Sequence, residues 1–486
     1  MTHKIKRNTS QHLLWLWGAI VLYFFLNALT QVSLSGTADL DQSEQLILSQ
    51  TFQLGYGAQP PLYTYITKTL FSITQPSLAT LLVFKALLLS LLAGTFIGIG
   101  KQLNLSIRQQ VIAVIGLVFI PQIIWESQRD LTHSVLVSIL AAATLLQTLR
   151  LQSKLSIFNY AAMGLLIGLG VISKYNYVFF IAALAGAVFY VPAFRSLIFD
   201  KRVFVGIAIA IAISSPHIFW ALNHYGIAMG SIHKIEASSG NIFTGLTQAG
   251  TSGLAYISPL WLFSLLLFFA TPKIHISTTA QSLYGRFLLA LLVSVGIVVA
   301  FFVIVTGAQE VKDRWYQPLL FFTPIVAAYF TQPQKKWPVN TYIGLGLGLA
   351  LLVAIALPLR TLIAEKTDKS NRPNMPYPAV MAELKSQRPQ ANFILAETRM
   401  LGGNAIPVFK QTAVRIPEFD ISTRPFQGEG IVLCITPNCE DKHFQNWLLD
   451  NYAIKSQSLS FKTIVQPYHY MDSMFLTIYW ARVQLN

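Results

Sequence analysis

The sequence predicts an all-α polytopic membrane protein that ends in a small α/β domain. Hydrophobic residues make up 53% of the 486 residues and charged residues only 11%, whereas soluble domains carry about 25% charged residues. The hydrophobic residues form long runs up to about residue 360, and shorter stretches between turn residues follow. These observations predict membrane spans first and a domain outside the membrane last.

Eleven apolar runs have roughly the 17–25 residues that one helical membrane crossing needs. Several contain Gly or Pro, which membrane bundles tolerate when neighbouring groups satisfy the backbone. The predicted spans are 12–34, 77–100, 109–125, 132–149, 156–173, 177–193, 203–221, 254–271, 287–306, 315–331 and 339–359.

The connections between these spans carry unequal charge. Fourteen Lys and Arg residues lie on one side and six on the other. Because cytoplasmic loops are rich in Lys and Arg, the N-terminus is predicted in the cytoplasm and the C-terminal domain in the periplasm of a bacterial inner membrane. The net charge of +15 therefore reflects membrane topology, and no nucleic-acid partner is expected.

Acidic residues favour the opposite side. Nine precede residue 360, and eight of them fall in predicted external segments. Acidic residues contribute little to topology, so a polar active site on the outer face is one explanation. The alternative is that they simply fill external loops.

The C-terminal part divides into a linker at 361–378 and a periplasmic domain at 379–486. Short strands are predicted at 391–397 and 430–435, a helix at 440–452 and a last strand at 474–481. Cys434 and Cys439 both lie in this domain. An oxidising compartment would let them pair, but two free thiols fit the sequence equally well.

The first external loop, 35–76, carries the strongest chemical signal. Asp39, Asp41 and Glu44 lie within six residues, and Asp41 and Glu44 share one face if this stretch is helical. A carboxylate there is suited to take a proton from a hydroxyl or to hold a metal near a phosphate. Asp39 is placed to cap the helix, and an ordinary acidic helix N-terminus is the alternative for the cluster.

Asp41-Gln-Ser-Glu44, followed by Gly55-Tyr-Gly-Ala-Gln-Pro60-Pro61-Leu-Tyr63, resembles the first external loop of the GT-C superfamily. The most similar types are the protein mannosyltransferases and lipid A aminoarabinose transferases. The resemblance implies a GT-C-like fold at 1–360 and a polyprenyl-phosphate sugar donor, with Asp41 matching the catalytic aspartate. Many aminoarabinose transferases have Glu-Lys before the Pro-Pro pair, whereas Ala58-Gln59 stand here, so neither a metal nor the donor sugar follows from the resemblance.

Further segments resemble the same superfamily. Trp125-Glu-Ser-Gln-Arg-Asp130-Leu-Thr-His133 matches a second acidic loop, Gly168-Leu-Gly-Val-Ile-Ser-Lys174 a glycine-rich segment with a lysine, and Arg314-Trp315 an Arg-Trp-x-x-Pro motif. Lys174 and Arg314 are suited to a lipid phosphate. Lys174 also fits a snorkelling lysine, and His133 fits a ligand, a base or an ordinary helix residue.

The resulting hypothesis is an integral membrane glycosyltransferase that moves a sugar from a polyprenyl-phosphate donor to an envelope lipid or glycan, lipid A being one candidate. Asp41, Glu44 and Asp130 are the predicted catalytic residues, and Asp41 is also a candidate ligand for a divalent metal. A second loop, 222–253, is predicted to cover the donor. The predicted substrate-binding residues are Asp39, Gln59, Tyr63, His133, Lys174, Tyr175, His233 and Arg314.

A transporter or flippase of lipid-linked sugars is the alternative function. Transporters often carry internal repeats and broken helices at mid-membrane, whereas the polar residues here concentrate in external loops. Only an enzyme should release free polyprenyl phosphate.

Overall fold

The computed structural model describes residues 2–228, 230, 241–332, 334–387, 391–419 and 426–485. The chain divides into two compact units. The first comprises Met1–Phe24, Gly57–Leu62 and Ala86–Val353, and the second comprises Phe25–Tyr56, Tyr63–Lys85 and Ala354–Asn486. The second unit therefore contains most of the first predicted external loop as well as the predicted linker and C-terminal domain.

Helices dominate the chain up to about residue 362. The helices of seven or more residues are Thr2–Leu34, Leu40–Leu48, Leu62–Thr74, Leu78–Gln102, Ile107–Gly116, Thr132–Ser153, Ile157–Val171, Tyr177–Tyr190, Val203–Asn223, Ile242–Tyr256, Leu260–Ala270, Lys273–Gln281, Leu283–Thr306, Thr323–Phe330, Lys336–Leu362, Tyr377–Gln387, Arg399–Ala405 and Lys442–Tyr452.

Among the described residues, six helices are long and apolar enough to cross a membrane, and three bent pairs bring the number to nine if each pair is one span. The remaining two predicted spans contain shorter helices. Region 156–173 holds Ile157–Val171, and region 315–331 holds Gln317–Leu320 and Thr323–Phe330. The protein is thus an all-α polytopic membrane protein with a small C-terminal sheet.

The three bent pairs break where a proline interrupts the helix. Pro121, Pro192 and Pro259 lie at bends of 71°, 111° and 65°. Proline removes a backbone donor and clashes with the preceding turn, which bends or ends a helix. Pro216 and Pro358, by contrast, lie inside continuous helices.

Two glycines bring helices Ile157–Val171 and Val203–Asn223 of the first unit into close contact. A Cβ atom on Gly164 would lie 2.2 Å from the carbonyl oxygen of Gly206, which no larger residue could accept. Small residues at such crossings allow van der Waals packing between membrane helices, where the hydrophobic effect contributes little.

The second unit contains a five-stranded sheet. Its strands are β1 (Phe393–Ala396), β2 (Ala413–Arg415), β3 (Gly428–Cys434), β4 (Lys462–Tyr468) and β5 (Met471–Leu485). Their order is β2-β1-β3-β5-β4; β1 is parallel to β2 and β3, and β5 is antiparallel to β3 and β4.

The predicted strands at 391–397, 430–435 and 474–481 and the helix at 440–452 are confirmed by β1, β3, β5 and Lys442–Tyr452. Cys434 and Cys439 form a disulfide in the core of this sheet region, which decides between the two alternatives. Two strands were not predicted. β2 has three residues, and β4 contains Pro467, which an edge strand tolerates because its outer backbone donors need no partner.

Candidate active site

The acidic residues of the second unit lie on and beside the helix Leu40–Leu48. Asp39 is its N-cap: the carboxylate accepts a hydrogen bond from the backbone N–H of Leu40 at 2.7 Å, and the side chain of Gln42 accepts one from the N–H of Asp39 at 2.8 Å. This reciprocal capping satisfies donors that the first turn leaves open. The prediction that Asp39 caps a helix is therefore confirmed.

Two of the three carboxylates are held by arginines from later in the chain. Asp39, which is buried, pairs with Nη1 of Arg372. Glu44, also buried, pairs with Nη1 of Arg399 at 2.6 Å. Arg399 also binds Glu418 through Nε, at 3.1 Å, and through Nη2. Asp39 and Glu44 are thus fixed by charge pairs.

Asp41 is in a different environment. It is half-buried, more exposed than Asp39 and Glu44. Burial raises the pKa of Tyr63, and the charge of Asp41 raises that pKa further. Burial alone would lower the pKa of Arg399, but the hydrogen bond to Glu418 and the charges of Glu44, Glu418 and Asp41 raise it overall. Asp41 is thus a partly accessible carboxylate near a neutral phenol and a permanent cation.

The helix Arg399–Ala405 packs on the acidic helix. Nδ2 of Asn404 donates to the carbonyl of Ala38 at 3.0 Å, and its Oδ1 accepts from the N–H of Ala38 at 2.8 Å. A Cβ atom on Gly403 would lie 2.5 Å from Cα of Ser43, so glycine permits this close approach. Thr64 also donates to Gln45 at 2.9 Å, which joins the helix bearing Tyr63 to the acidic helix.

Sequence reasoning did not identify Arg372, Arg399 or Asn404 as parts of this arrangement. Arg372 lies in the Pro-rich stretch predicted as a linker, and Arg399 and Asn404 lie beyond residue 390. Nothing in the local sequence indicates that these residues pack on a helix more than 300 residues earlier.

In the first unit, Lys174 lies where several predicted segments meet. Its Nζ donates to Oγ of Ser134 at 2.5 Å, next to the buried His133. The backbone N–H of Leu62 donates to the carbonyl of Ile172 at 2.9 Å. This hydrogen bond joins the end of the Pro-Pro turn, which contains the half-buried Gln59, to the residues that precede Lys174.

Tyr175 begins a series of stacked rings. Its hydroxyl lies 3.2 Å from Nε2 of His217, and the two rings stack with centroids 5.8 Å apart. Trp220 stacks on His217, and His224 stacks on Trp220. Burial raises the pKa of Tyr175 to about 12, so its hydroxyl stays protonated. The rings form an aromatic surface beside the predicted donor lysine.

The segment that contains Arg314 is joined to the segment of Lys174 by a hydrogen bond. Nδ2 of Asn176 donates to the carbonyl of Trp315 at 2.9 Å, which joins the lysine segment to the Arg-Trp motif. Arg314 is exposed and lines an open pocket of about 490 Å³. Its neighbour Asp313 accepts from Nε2 of Gln122 at 2.5 Å.

Asp130 lies in an irregular stretch of backbone. A π-helical turn covers Gln122–Glu126, and Leu131 adopts a left-handed conformation with φ of 62°. π-helical turns are frequent at functional sites, and a non-glycine residue in a left-handed conformation costs about 1–3 kcal/mol. Asp130 is half-buried just before the helix that bears His133 and Ser134.

The first unit therefore brings together the segments of Gln59, His133, Lys174, Tyr175 and Arg314. The second unit brings together Asp39, Asp41, Glu44 and Tyr63. His233 lies outside the described residues. In the described parts of the chain, no group of three or more His, Cys, Asp or Glu side chains could hold a metal ion.

Comparison with known proteins identifies several relatives of this chain. The family described as dolichyl-phosphate-mannose-protein mannosyltransferase matches residues 58–220. The chain is 30% identical over 421 residues to the lipopolysaccharide core galacturonosyltransferase RgtB of Rhizobium johnstonii, covering 83% of this chain and 82% of that protein. It is 28% identical over 427 residues to RgtA of the same organism, covering 85% and 84%.

Among solved structures, ArnT from Cupriavidus metallidurans bound to undecaprenyl phosphate shares the fold. Its TM-score is 0.60 at 11% identity, covering 96% of this chain and 97% of that one. The chain belongs to the GT-C superfamily of membrane glycosyltransferases, in the family that contains the lipopolysaccharide core galacturonosyltransferases. It is a multi-pass membrane enzyme that transfers a sugar.

Proposed function

We propose that this enzyme transfers an acidic hexose of the galacturonic acid class from a polyprenyl-phosphate donor to a saccharide of lipopolysaccharide, on the periplasmic face of the inner membrane. Two relatives carry that sugar and acceptor in their names. A protein of the same fold binds undecaprenyl phosphate. The excess of Lys and Arg on the other side of the predicted spans supports the periplasmic face.

The observation that carries the proposal is the contrast among the three carboxylates. Arg372 and Arg399 hold Asp39 and Glu44, and Asp41 on the same helix is more exposed than either of these carboxylates. A base has to be accessible to substrate and fixed in position, and rigid supporting contacts provide the second property. The partial exposure of Asp41 and the charge pairs that hold its helix support this role.

In the proposed reaction Asp41 takes the proton from the acceptor hydroxyl. The acceptor oxygen forms a bond to the anomeric carbon as the bond from that carbon to the phosphate oxygen breaks. The electron pair of the broken bond leaves with the polyprenyl phosphate. Resemblance to the superfamily implies inversion at the anomeric carbon. Asp39 and Glu44 keep the helix in place, and Tyr63 packs beside Asp41.

Lys174 and Arg314 are proposed to bind the donor phosphate, since cationic donors stabilise the charge that develops on the leaving group. Tyr175 and the stacked rings beyond it suit the apolar face of a sugar or an isoprenoid. Asp130, His133 and Gln59 are proposed to support this group. His233 stays a candidate from the sequence.

The Pro-Pro turn supports an acidic sugar. Ala58 stands where many aminoarabinose transferases have glutamate. A carboxylate at that position would attract an aminosugar and repel a uronic acid, because like charges in a desolvated site are costly. A neutral residue at position 58 removes that repulsion.

The test uses purified enzyme, galacturonosyl polyprenyl phosphate and lipopolysaccharide from a strain that lacks this gene. We expect transfer of the sugar together with release of polyprenyl phosphate. Ala58→Glu should reduce use of this donor, and Ala58→Gln, which has similar size and no charge, should retain more activity. Absence of both transfer and release would refute the proposed function. Equal effects of Ala58→Glu and Ala58→Gln would refute the assignment of an acidic sugar.

A further inference from the structure

The second unit contains a cavity of about 700 Å³. Its walls come from the helix Leu62–Thr74, the end of the acidic helix with the residues after it, and strand β2 with its flanking residues. Cavities of roughly 300–1,000 Å³ bind small molecules in other proteins. The carboxylates discussed above do not line this cavity, so the proposed reaction leaves it without a role.

The cavity is lined by three cations, Lys68, Lys410 and Arg415, and no acidic residue lies among its described lining residues. Nζ of Lys68 donates to the carbonyls of Ser49 at 3.2 Å and Gln50 at 2.8 Å. These neutral partners position the ammonium without cancelling its charge, and burial lowers the pKa of Lys68. An anion in the cavity would compensate that desolvated charge.

Arg415 and Lys410 complete the basic lining. Arg415 is buried, donates to the hydroxyl of Tyr452 at 3.1 Å and lies over the ring of Phe426 at 4.0 Å. Lys410 is exposed at the cavity edge. Phe426 also lines the cavity, as do Phe52 and Phe71. Aromatic walls with a few fixed polar groups are typical of sites that hold a small ligand in one orientation.

The cavity is tied to the helix of the proposed base. Nε2 of Gln50 donates to the carbonyl of Val414 at 2.9 Å, and its Oε1 accepts from the N–H of Val414 at 2.8 Å. Leu46 lines the cavity and lies five residues after Asp41 on the same helix, a rise of about 7.5 Å. A saccharide in the cavity would therefore lie within a few sugar units of Asp41.

We propose that this cavity binds an anionic saccharide of the lipopolysaccharide acceptor, one that carries a phosphate or a carboxylate. The inference rests on the proposed function, because it assigns a binding site to the acceptor of that reaction. Binding there would place a neighbouring hydroxyl of the same acceptor near Asp41. The cavity would then select acceptors by a charged group that does not itself react.

The test is steady-state kinetics with each substrate varied in turn. Lys410→Glu and Gln411→Glu change exposed lining residues, and Lys442→Glu is the matched control on an exposed lysine that does not line the cavity. Replacing a favourable charged contact to an anion by repulsion should raise the acceptor KM by roughly tenfold or more. The donor KM should stay unchanged, and the control should resemble the unmodified enzyme.

A second arm uses the same acceptor after hydrofluoric acid has removed its phosphates, and acceptors with and without uronic acids. Removal of the recognised anion should raise the KM of the unmodified enzyme and leave the two cavity variants unaffected. An unchanged acceptor KM in both variants would refute the inference while transfer itself continued. A change of the acceptor KM that appeared only in nanodiscs with anionic phospholipid would also refute the inference, because the site would then bind membrane lipid. Failure of the unmodified enzyme to transfer sugar would instead refute the proposed function.

Discussion

Removal of Arg399 tests whether the acidic helix depends on its charge pair. Arg399→Met keeps much of the aliphatic volume and removes the guanidinium. The side chains of Arg399 and Glu44 are only 20% and 11% exposed, with 2.6 Å between Nη1 and Oε2. This pair is much more buried than the exposed ion pairs that contribute about 0–1 kcal/mol to stability. Removing one partner of a fully buried pair costs about 3–5 kcal/mol. Allowing for the remaining exposure, we expect a loss of about 2–3 kcal/mol.

The loss should be visible as a lower thermal unfolding midpoint in detergent, by roughly 4–10 °C for a unit of this size. Glu44→Gln in the Arg399→Met background removes the uncompensated carboxylate and should restore part of the loss. The double-mutant cycle isolates this coupling. Arg482→Met, on an exposed residue of β5, is the control for the substitution itself. A melting temperature of Arg399→Met equal to that of the control, or no recovery on adding Glu44→Gln, would contradict a stabilising role of this charge pair.

Three further predictions concern the donor, pH and topology. Lys174→Ala and Arg314→Ala should each lower donor use by roughly ten- to a hundredfold with normal melting, the expected loss of a charged phosphate contact; normal donor KM and turnover in both would mark them as interfacial anchors. Burial lowers the pKa of His469, so the unfolded chain binds a proton on this residue more readily than the folded chain does. Stability should therefore fall as pH drops from about 7 to about 5.5. His469→Gln should flatten that fall, and an unchanged pH profile of this variant would contradict the role of His469. A reporter enzyme that works only in the periplasm, fused after Asn486, should be active, whereas activity of a cytoplasm-only reporter there would contradict the topology.

Sequence patterns predicted those parts of the fold that have a local cause. Long apolar runs predicted the membrane helices, and alternating turn residues and apolar stretches predicted β1, β3 and β5. The position of Asp39 predicted its cap. The three bends could not be predicted, because Pro121, Pro192 and Pro259 break helices while Pro216 does not. A proline's effect depends on neighbours that local sequence does not identify.

The acidic cluster illustrates the same limit at the site. Its residue types and spacing indicated chemistry, and the resemblance singled out Asp41. The sequence could not distinguish the environments of the three carboxylates, because Arg372 and Arg399 join the loop through tertiary packing. The stretch 361–378, predicted as a linker, contains a short helix at Ala364–Thr367 and Arg372, which pairs with Asp39.

Asp41→Asn is the substitution that tests whether Asp41 is the catalytic base. The substitution keeps size and shape and removes the charge. Single-turnover transfer should slow by about 10²–10⁴-fold, with normal melting and normal donor binding. Partial rescue by excess divalent ion would indicate a metal-binding role for Asp41 instead.

Asp39→Asn and Glu44→Gln are the matched comparisons on the same helix. We expect both substitutions to act mainly on stability and to slow transfer less than Asp41→Asn does. A crippling effect of Asp39→Asn with a mild effect of Asp41→Asn would show that the wrong carboxylate was assigned. Normal transfer by all three variants, in protein that inserts and folds normally, would contradict a catalytic role for any carboxylate of this helix.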